Sequence, residues 1–161
     1  MSAFTFQTRY RGFLPVVLWA LAISILSTDL FSARHTGEIL YGFFPLEDSK
    51  FSILHMLVRK CAHVTEYAIL GWLVVRALFN LDPQLERFSS LWRIILFAIV
   101  IGFLYASLDE FHQAFIPSRT PSVKDVIFDT LGTALGAIFR SHWLRQTKKY
   151  RICLSKLPSS L

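Results

Sequence analysis

Apolar and polar positions alternate in long blocks along this chain, and the blocks predict four helices. Gly12 to Thr28 is a run of 17 residues without a charge. At a rise of about 1.5 Å per residue, such a run is near the minimum for crossing a hydrocarbon core of ~30 Å. The rival is a signal peptide with a basic lead-in, here Arg9-Tyr-Arg11. The run is long for a signal h-region, Trp19 sits in its middle, and no small-x-small cleavage site follows directly, so a retained helix is expected. A second run extends from about Ile53 to Phe79 and a third from about Leu91 to Phe115. Ser122 then opens a fourth, reaching about Arg140, with Ser122 as N-cap and Asp125 at the third helical position of a capping box.

The connections differ in kind. Residues 29–52 carry Phe31, Tyr41, Phe43 and Phe44, rings that suit a water–lipid interface, and a short in-plane helix there is plausible. Asn80 to Ser90 is a polar turn broken by Asp82-Pro83, and Ile116-Pro-Ser-Arg-Thr-Pro121 is a tight two-proline connection. The expected fold is all-α: a four-helix transmembrane bundle in residues 1–140, followed by a basic cytoplasmic tail in 141–161.

Composition sharpens this picture. The 161 residues suffice for a single domain. Charged residues make up 17% of the chain, against roughly 25% in soluble domains, and mean hydropathy is +0.46. The net charge of +6 does not argue for nucleic acid, because the basic residues sit beside apolar runs and are densest after the last one (Arg140, Arg145, Lys148, Lys149, Arg151, Lys156). With the N-terminus inside and four spans, eleven Lys and Arg fall on the inner side and six on the outer, which places both termini in the cytoplasm. Cys61 and Cys153 then lie on opposite sides of the bilayer, and no Cys-x-x-Cys pair suggests redox or zinc chemistry.

The same span order brings the polar halves of spans two, three and four to the outer side. Span two enters with Arg59, Lys60, His63 and Glu66; span three leaves with Asp109, Glu110, His112 and Gln113; span four enters with Asp125 and Asp129. Ionisable groups at membrane depth are costly, so a functional site is their default reading. His63, Glu66, Tyr67 and Leu70 share a helix face, as do Asp109 with Gln113, and Asp125, Asp129, Gly132 and Gly136. Bland readings stand beside these. Arg59 snorkels to the interface, His63 with Glu66 forms a structural pair, Asp125 only caps its helix, the tail's basic run is a lipid-facing patch, and most of the Trp and Tyr residues anchor the interface. Gly132 and Gly136 form a G-x-x-x-G packing step. Asp129 is hardest to dismiss: about two turns inside a span, a carboxylate costs ~2.5–3.5 kcal/mol and calls for a partner such as Arg119, Lys60, His63 or a proton.

Three segments, Lys60-Cys-Ala-His63-Val-Thr-Glu66-Tyr67-Ala-Ile-Leu-Gly71, Tyr105-Ala-Ser-Leu-Asp109-Glu110-Phe-His-Gln113-Ala-Phe-Ile-Pro117-Ser-Arg119, and Ser122-Val-Lys-Asp125-Val with Gly132-Thr-Ala-Leu-Gly136, occur in this order. Together they resemble the VanZ-like family across roughly residues 59–139. The resemblance implies a small multi-pass protein of the bacterial inner membrane, in a family whose founding member is associated with resistance to teicoplanin-type glycopeptide antibiotics. It supplies a location and a phenotype, not a reaction. Asp129 departs from the family pattern, which usually has Asn there, and adds a titratable group.

Three functions fit the cell envelope. In the first, Lys60 and Arg119 pair with the phosphate of an anionic lipid or lipid-linked precursor, while Tyr67, Gln113, Ser122, Asp125, Asp129 and His63 hold an amine, sugar or proton. In the second, a membrane enzyme acts on lipid-linked substrates with His63, Glu66, Asp109 and Glu110 as acid–base groups; a divalent cation is conceivable, but no spacing forms a metal signature, so cofactor and metal stay open. The third is a small proton- or ion-coupled transporter, against which the apolar inner halves of the spans argue.

Overall fold

A computed structural model describes residues 11–27, 37, 40–43, 48–81, 88–116 and 121–155, and among these the secondary structure is helical throughout. A 3-10 turn, Arg11–Phe13, leads into α1 (Leu14–Leu26); α2 is Asp48–Leu81, α3 Phe88–Gln113 and α4 Val123–Ser155. Pro15 falls in the first turn of α1, where a missing backbone N–H costs nothing. α1 ends at Ser27, whose N–H closes the last turn on the Ile23 carbonyl at 2.8 Å.

Two segments, Lys50–Leu81 and Leu91–Gln113, are long and apolar enough to cross a membrane. α1 is apolar but has only 13 residues, about 20 Å of helix. The bounds of the other three helices differ from the predicted runs: α3 begins three residues before Leu91 and stops at Gln113, short of Phe115, while α2 and α4 are longer than expected. α2 begins at Asp48 rather than Ile53, and α4 passes Arg140 without a break to Ser155. The flanking polar residues do not interrupt a helix; Lys, Arg and Gln are good helix formers, and no Gly or Pro intervenes between Gly136 and Ser155. In the 29–52 connection, residues 40–43 form a helical turn whose Tyr41 ring meets Phe51 edge-on at 5.2 Å. Residues 29–36, 38–39 and 44–47 of that connection, Phe31 and Phe44 among them, lie outside the described residues, as do 82–87 and 117–120, the latter including Arg119.

The interior is narrow. Tyr67, Leu70, Val74 and Val75 of α2 pack with Ile94, Ile95, Ala98 and Ala106 of α3, joined by Ala137 of α4 and Ile23 of α1. Large apolar side chains instead crowd the outside: Leu96, Leu104 and Phe111 of α3, Leu131 and Leu135 of α4 and Leu18 of α1 are all exposed. Contiguous apolar surface on this scale requires lipid or protein against it.

α2 and α4 touch backbone to backbone. A Cβ on Gly132 would stand 2.6 Å from the Val64 carbonyl oxygen; one on Gly136 would collide with the Ala68 carbonyl, and one on Gly71 with the Thr133 carbonyl. Gly102 of α3 makes room for the Thr133 side chain in the same layer. The G-x-x-x-G step therefore works as expected, and it is met by a third glycine on the opposing helix.

A buried polar cluster where α2, α3 and α4 converge

The start of α4 and the end of α3 bring their polar residues against the first half of α2. Lys60 of α2 forms an ion pair with Asp125 of α4, both partly exposed, and the Lys60 ammonium also lies 5.4 Å from the centre of the Phe128 ring. Asp125 is thus turned to α2. The Ser122 backbone N–H, which a capping box would give to the residue three places on, donates to Glu110 Oε2 of α3 at 2.7 Å. The expected capping box is replaced by two contacts between helices, because the Glu110 carboxylate reaches the Ser122 N–H and the Lys60 ammonium reaches Asp125.

One turn further in, His63 Nδ1 stands 3.6 Å from Asp129 Oδ1. Asp129 is 1% exposed, and neither of its carboxylate oxygens has a hydrogen-bond partner among the described residues. The same holds for the hydroxyl of Tyr67, a residue that is wholly buried. Glu66, Asp109, Glu110 and Lys60 all lie within electrostatic reach of Asp129, and Asp109, Asp129 and Glu66 within reach of Tyr67. The predicted convergence of three helices is therefore present in space.

Asp109 is a well-satisfied carboxylate. Its Oδ2 accepts from Ser27 Oγ at 2.8 Å and from Gln113 Nε2 at 2.9 Å, and all three side chains are buried. Ser27 is a member that the sequence reading passed over. So are three other contacts from α1. Trp19 Nε1 donates to the Glu66 carbonyl at 2.8 Å, Ser24 lies 2.8 Å from the Tyr105 hydroxyl, and that hydroxyl donates to the Ala20 carbonyl. Trp19 and Tyr105 are consequently not interface anchors but struts between α1 and the α2–α3 pair. The available signal was the polar pair Ser24 and Ser27, one turn apart at the end of an otherwise apolar run. His112, expected with the polar end of span three, is exposed and takes no part in the cluster.

As to metals, no three His, Cys, Asp or Glu side chains among the described residues are grouped so that they could hold an ion. Cys61 is a free thiol on the exposed side of α2. Below Asp129, Thr133 donates its hydroxyl to the Asp129 carbonyl at 3.1 Å and fills the space between Gly71 and Gly102. The polar cluster is closed at its base by this tight layer.

Described elements that are all helical, with an apolar exterior and with Glu66, Asp109, Glu110, Asp125 and Asp129 gathered at one end, are those of a membrane protein. The VanZ/LLP1 family model matches residues 6–144, and the chain belongs to that family. No curated protein and no solved structure matches it.

Proposed function

We propose that the protein is a multi-pass inner-membrane protein whose polar cluster opens to the extracytoplasmic side and binds an envelope lipid or glycan precursor. The excess of Lys and Arg at the opposite helix ends and in the tail supports both termini being cytoplasmic. α2 and α3 supply two of the four spans; α1, with its preceding turn, and the first half of α4 supply the others. At 33 residues, α4 is about 50 Å long, enough to cross and then carry its basic end out of the membrane.

The observation that carries the reading is the unsatisfied base of the cluster. Buried carboxylates and hydroxyls are normally paired, since leaving such a group without a partner costs about 1–3 kcal/mol and more for a charge. Asp129 and Tyr67 together offer three oxygens with no hydrogen bond among the described residues, beside His63. A ligand bearing hydroxyls or an amine satisfies them. Lys60, partly exposed at the rim, exchanges Asp125 for a phosphate, and Arg119 joins it with a bidentate fork. Gln113 and Ser122 border the same end, while Asp109 and Glu110 hold the frame. A link to glycopeptide resistance follows if the bound precursor is the drug's target or its neighbour.

The 3.6 Å approach of His63 to Asp129 favours a second reading, in which this pair moves a proton on a lipid-linked substrate, with Glu66, Asp109 and Glu110 as further acid–base groups. The closed layer at Thr133 weighs against a transporter.

Native mass spectrometry of the protein released from detergent, as wild type and Arg119→Ala, tests the binding reading. A co-purifying anionic lipid or precursor held by the wild type and lost from the variant supports it. Bare protein in both samples refutes it. Turnover of such a precursor that stops in His63→Gln, with its binding retained, selects the acid–base reading instead.

A further inference from the structure

At the other end of the α2–α4 pair lies a second feature, separate from the polar cluster. A groove of about 620 Å³ runs along the outer surface between the two helices, lined by Thr65, Ala68, Ile69, Trp72, Leu135 and Phe139 among others, and it is almost entirely apolar. It exists because Gly136 draws the backbones together and leaves no side chain to fill the seam. The groove ends at an aromatic and basic group. Trp72 packs on Phe139 at 5.5 Å and Trp143 at 6.5 Å, and the Arg140 guanidinium lies over the Trp72 ring at 5.1 Å. Arg76, one turn beyond Trp72, is near enough to repel Arg140. Neither arginine has a carboxylate partner among the described residues, and Arg140 Nε is buried with no hydrogen bond.

Two neighbouring guanidinium groups with no counter-charge among the described residues, set where an apolar channel meets the helix ends, are complementary to one class of molecule. The geometry points to a seat for an anionic glycerophospholipid, with an acyl chain in the α2–α4 groove and its phosphate between Arg76 and Arg140. Arginine suits the role because its donors form a planar fork that matches phosphate oxygens, and Trp72 and Trp143 present amphipathic rings at the level of a headgroup. A chain embedded in lipid has such molecules at hand. The groove and the arginines make this position a selective one.

The test uses the full chain in zwitterionic-lipid nanodiscs, titrated with brominated phosphatidylglycerol or brominated phosphatidylcholine, with quenching of tryptophan fluorescence as the readout. The wild type is expected to prefer the anionic lipid roughly thirtyfold, the order expected for two basic side chains near a headgroup. Arg76→Gln/Arg140→Gln is expected to bring the preference close to unity. Ile69→Trp, which fills the channel, is expected to weaken retention of phosphatidylglycerol in native mass spectra. Equal quenching of the wild type by the two lipids overturns the proposal without reference to any variant. Displacement of phosphatidylglycerol by millimolar inorganic phosphate also overturns it, because the site then takes a free anion. Unchanged preference in the double-arginine variant, with helical content intact by circular dichroism, does the same.

Discussion

The α2–α4 pair is built in two ways along its length. In its middle, Gly71, Gly132 and Gly136 bring carbonyl groups of one helix against the backbone of the other, and Thr133 closes the remaining space. One turn away, the same two helices hold Tyr67 and Asp129, beside His63, with oxygens that lack a hydrogen-bond partner among the described residues. The first region is packed for stability and tolerates no added atom. The second keeps groups that cost stability where they stand. Their adjacency explains itself physically: a rigid seam is what allows an unsatisfied pocket beside it to persist without collapsing.

The difference can be broken from the packed side first. Gly136→Ala places a methyl group into the Ala68 carbonyl, where both partners are backbone and neither can yield. It should destabilise the protein by about 3 kcal/mol, the upper part of the usual overpacking range, seen as a large fall in the unfolding midpoint in detergent. Asp109→Ala comes next. It strands the Ser27 hydroxyl and the Gln113 amide in a buried setting, and a loss of about 2–3 kcal/mol is expected, with Asp109→Asn retaining much of it because its carbonyl oxygen still accepts. Ser27→Ala should cost about 1 kcal/mol, and hydrogen exchange should show the end of α1 loosening before the rest of the bundle. Lys60→Met is expected to change stability by less than about 1 kcal/mol, because the Lys60–Asp125 pair is partly exposed, yet it should weaken ligand retention. A stability loss at Lys60 as large as at Asp109 would mean that the two ends of the cluster do not differ in kind.

The packed region was the more legible of the two in the sequence. Gly132 and Gly136 at a spacing of four, on the face that carries Asp125 and Asp129, announced a close helix contact, and the polar halves of three apolar runs announced that their residues would meet. Less accessible were the partners drawn from far along the chain. Ser27 with Asp109, Trp19 with the Glu66 carbonyl and Ser122 with Glu110 depend on how helices rotate and slide against one another, which periodicity does not determine. Asp125 shows the same limit: its local context fits a capping box, and tertiary contacts with Lys60 won. Helix ends were underestimated because charge ends an apolar run without ending a helix, as α4 shows by passing Arg140 and continuing to Ser155.

The central claim is that Asp129 is kept for a ligand and against stability. The measurement that tests it most directly is a paired one on wild type and Asp129→Asn, purified in the same detergent: the unfolding midpoint, and the mass that co-purifies in native spectra. The account predicts no loss of stability, with up to about 2 kcal/mol gained by neutralising a buried carboxylate that has no hydrogen bond among the described residues, together with loss of the bound molecule. A clear drop in stability with the bound mass unchanged would contradict it, and would make Asp129 part of the frame rather than of the site.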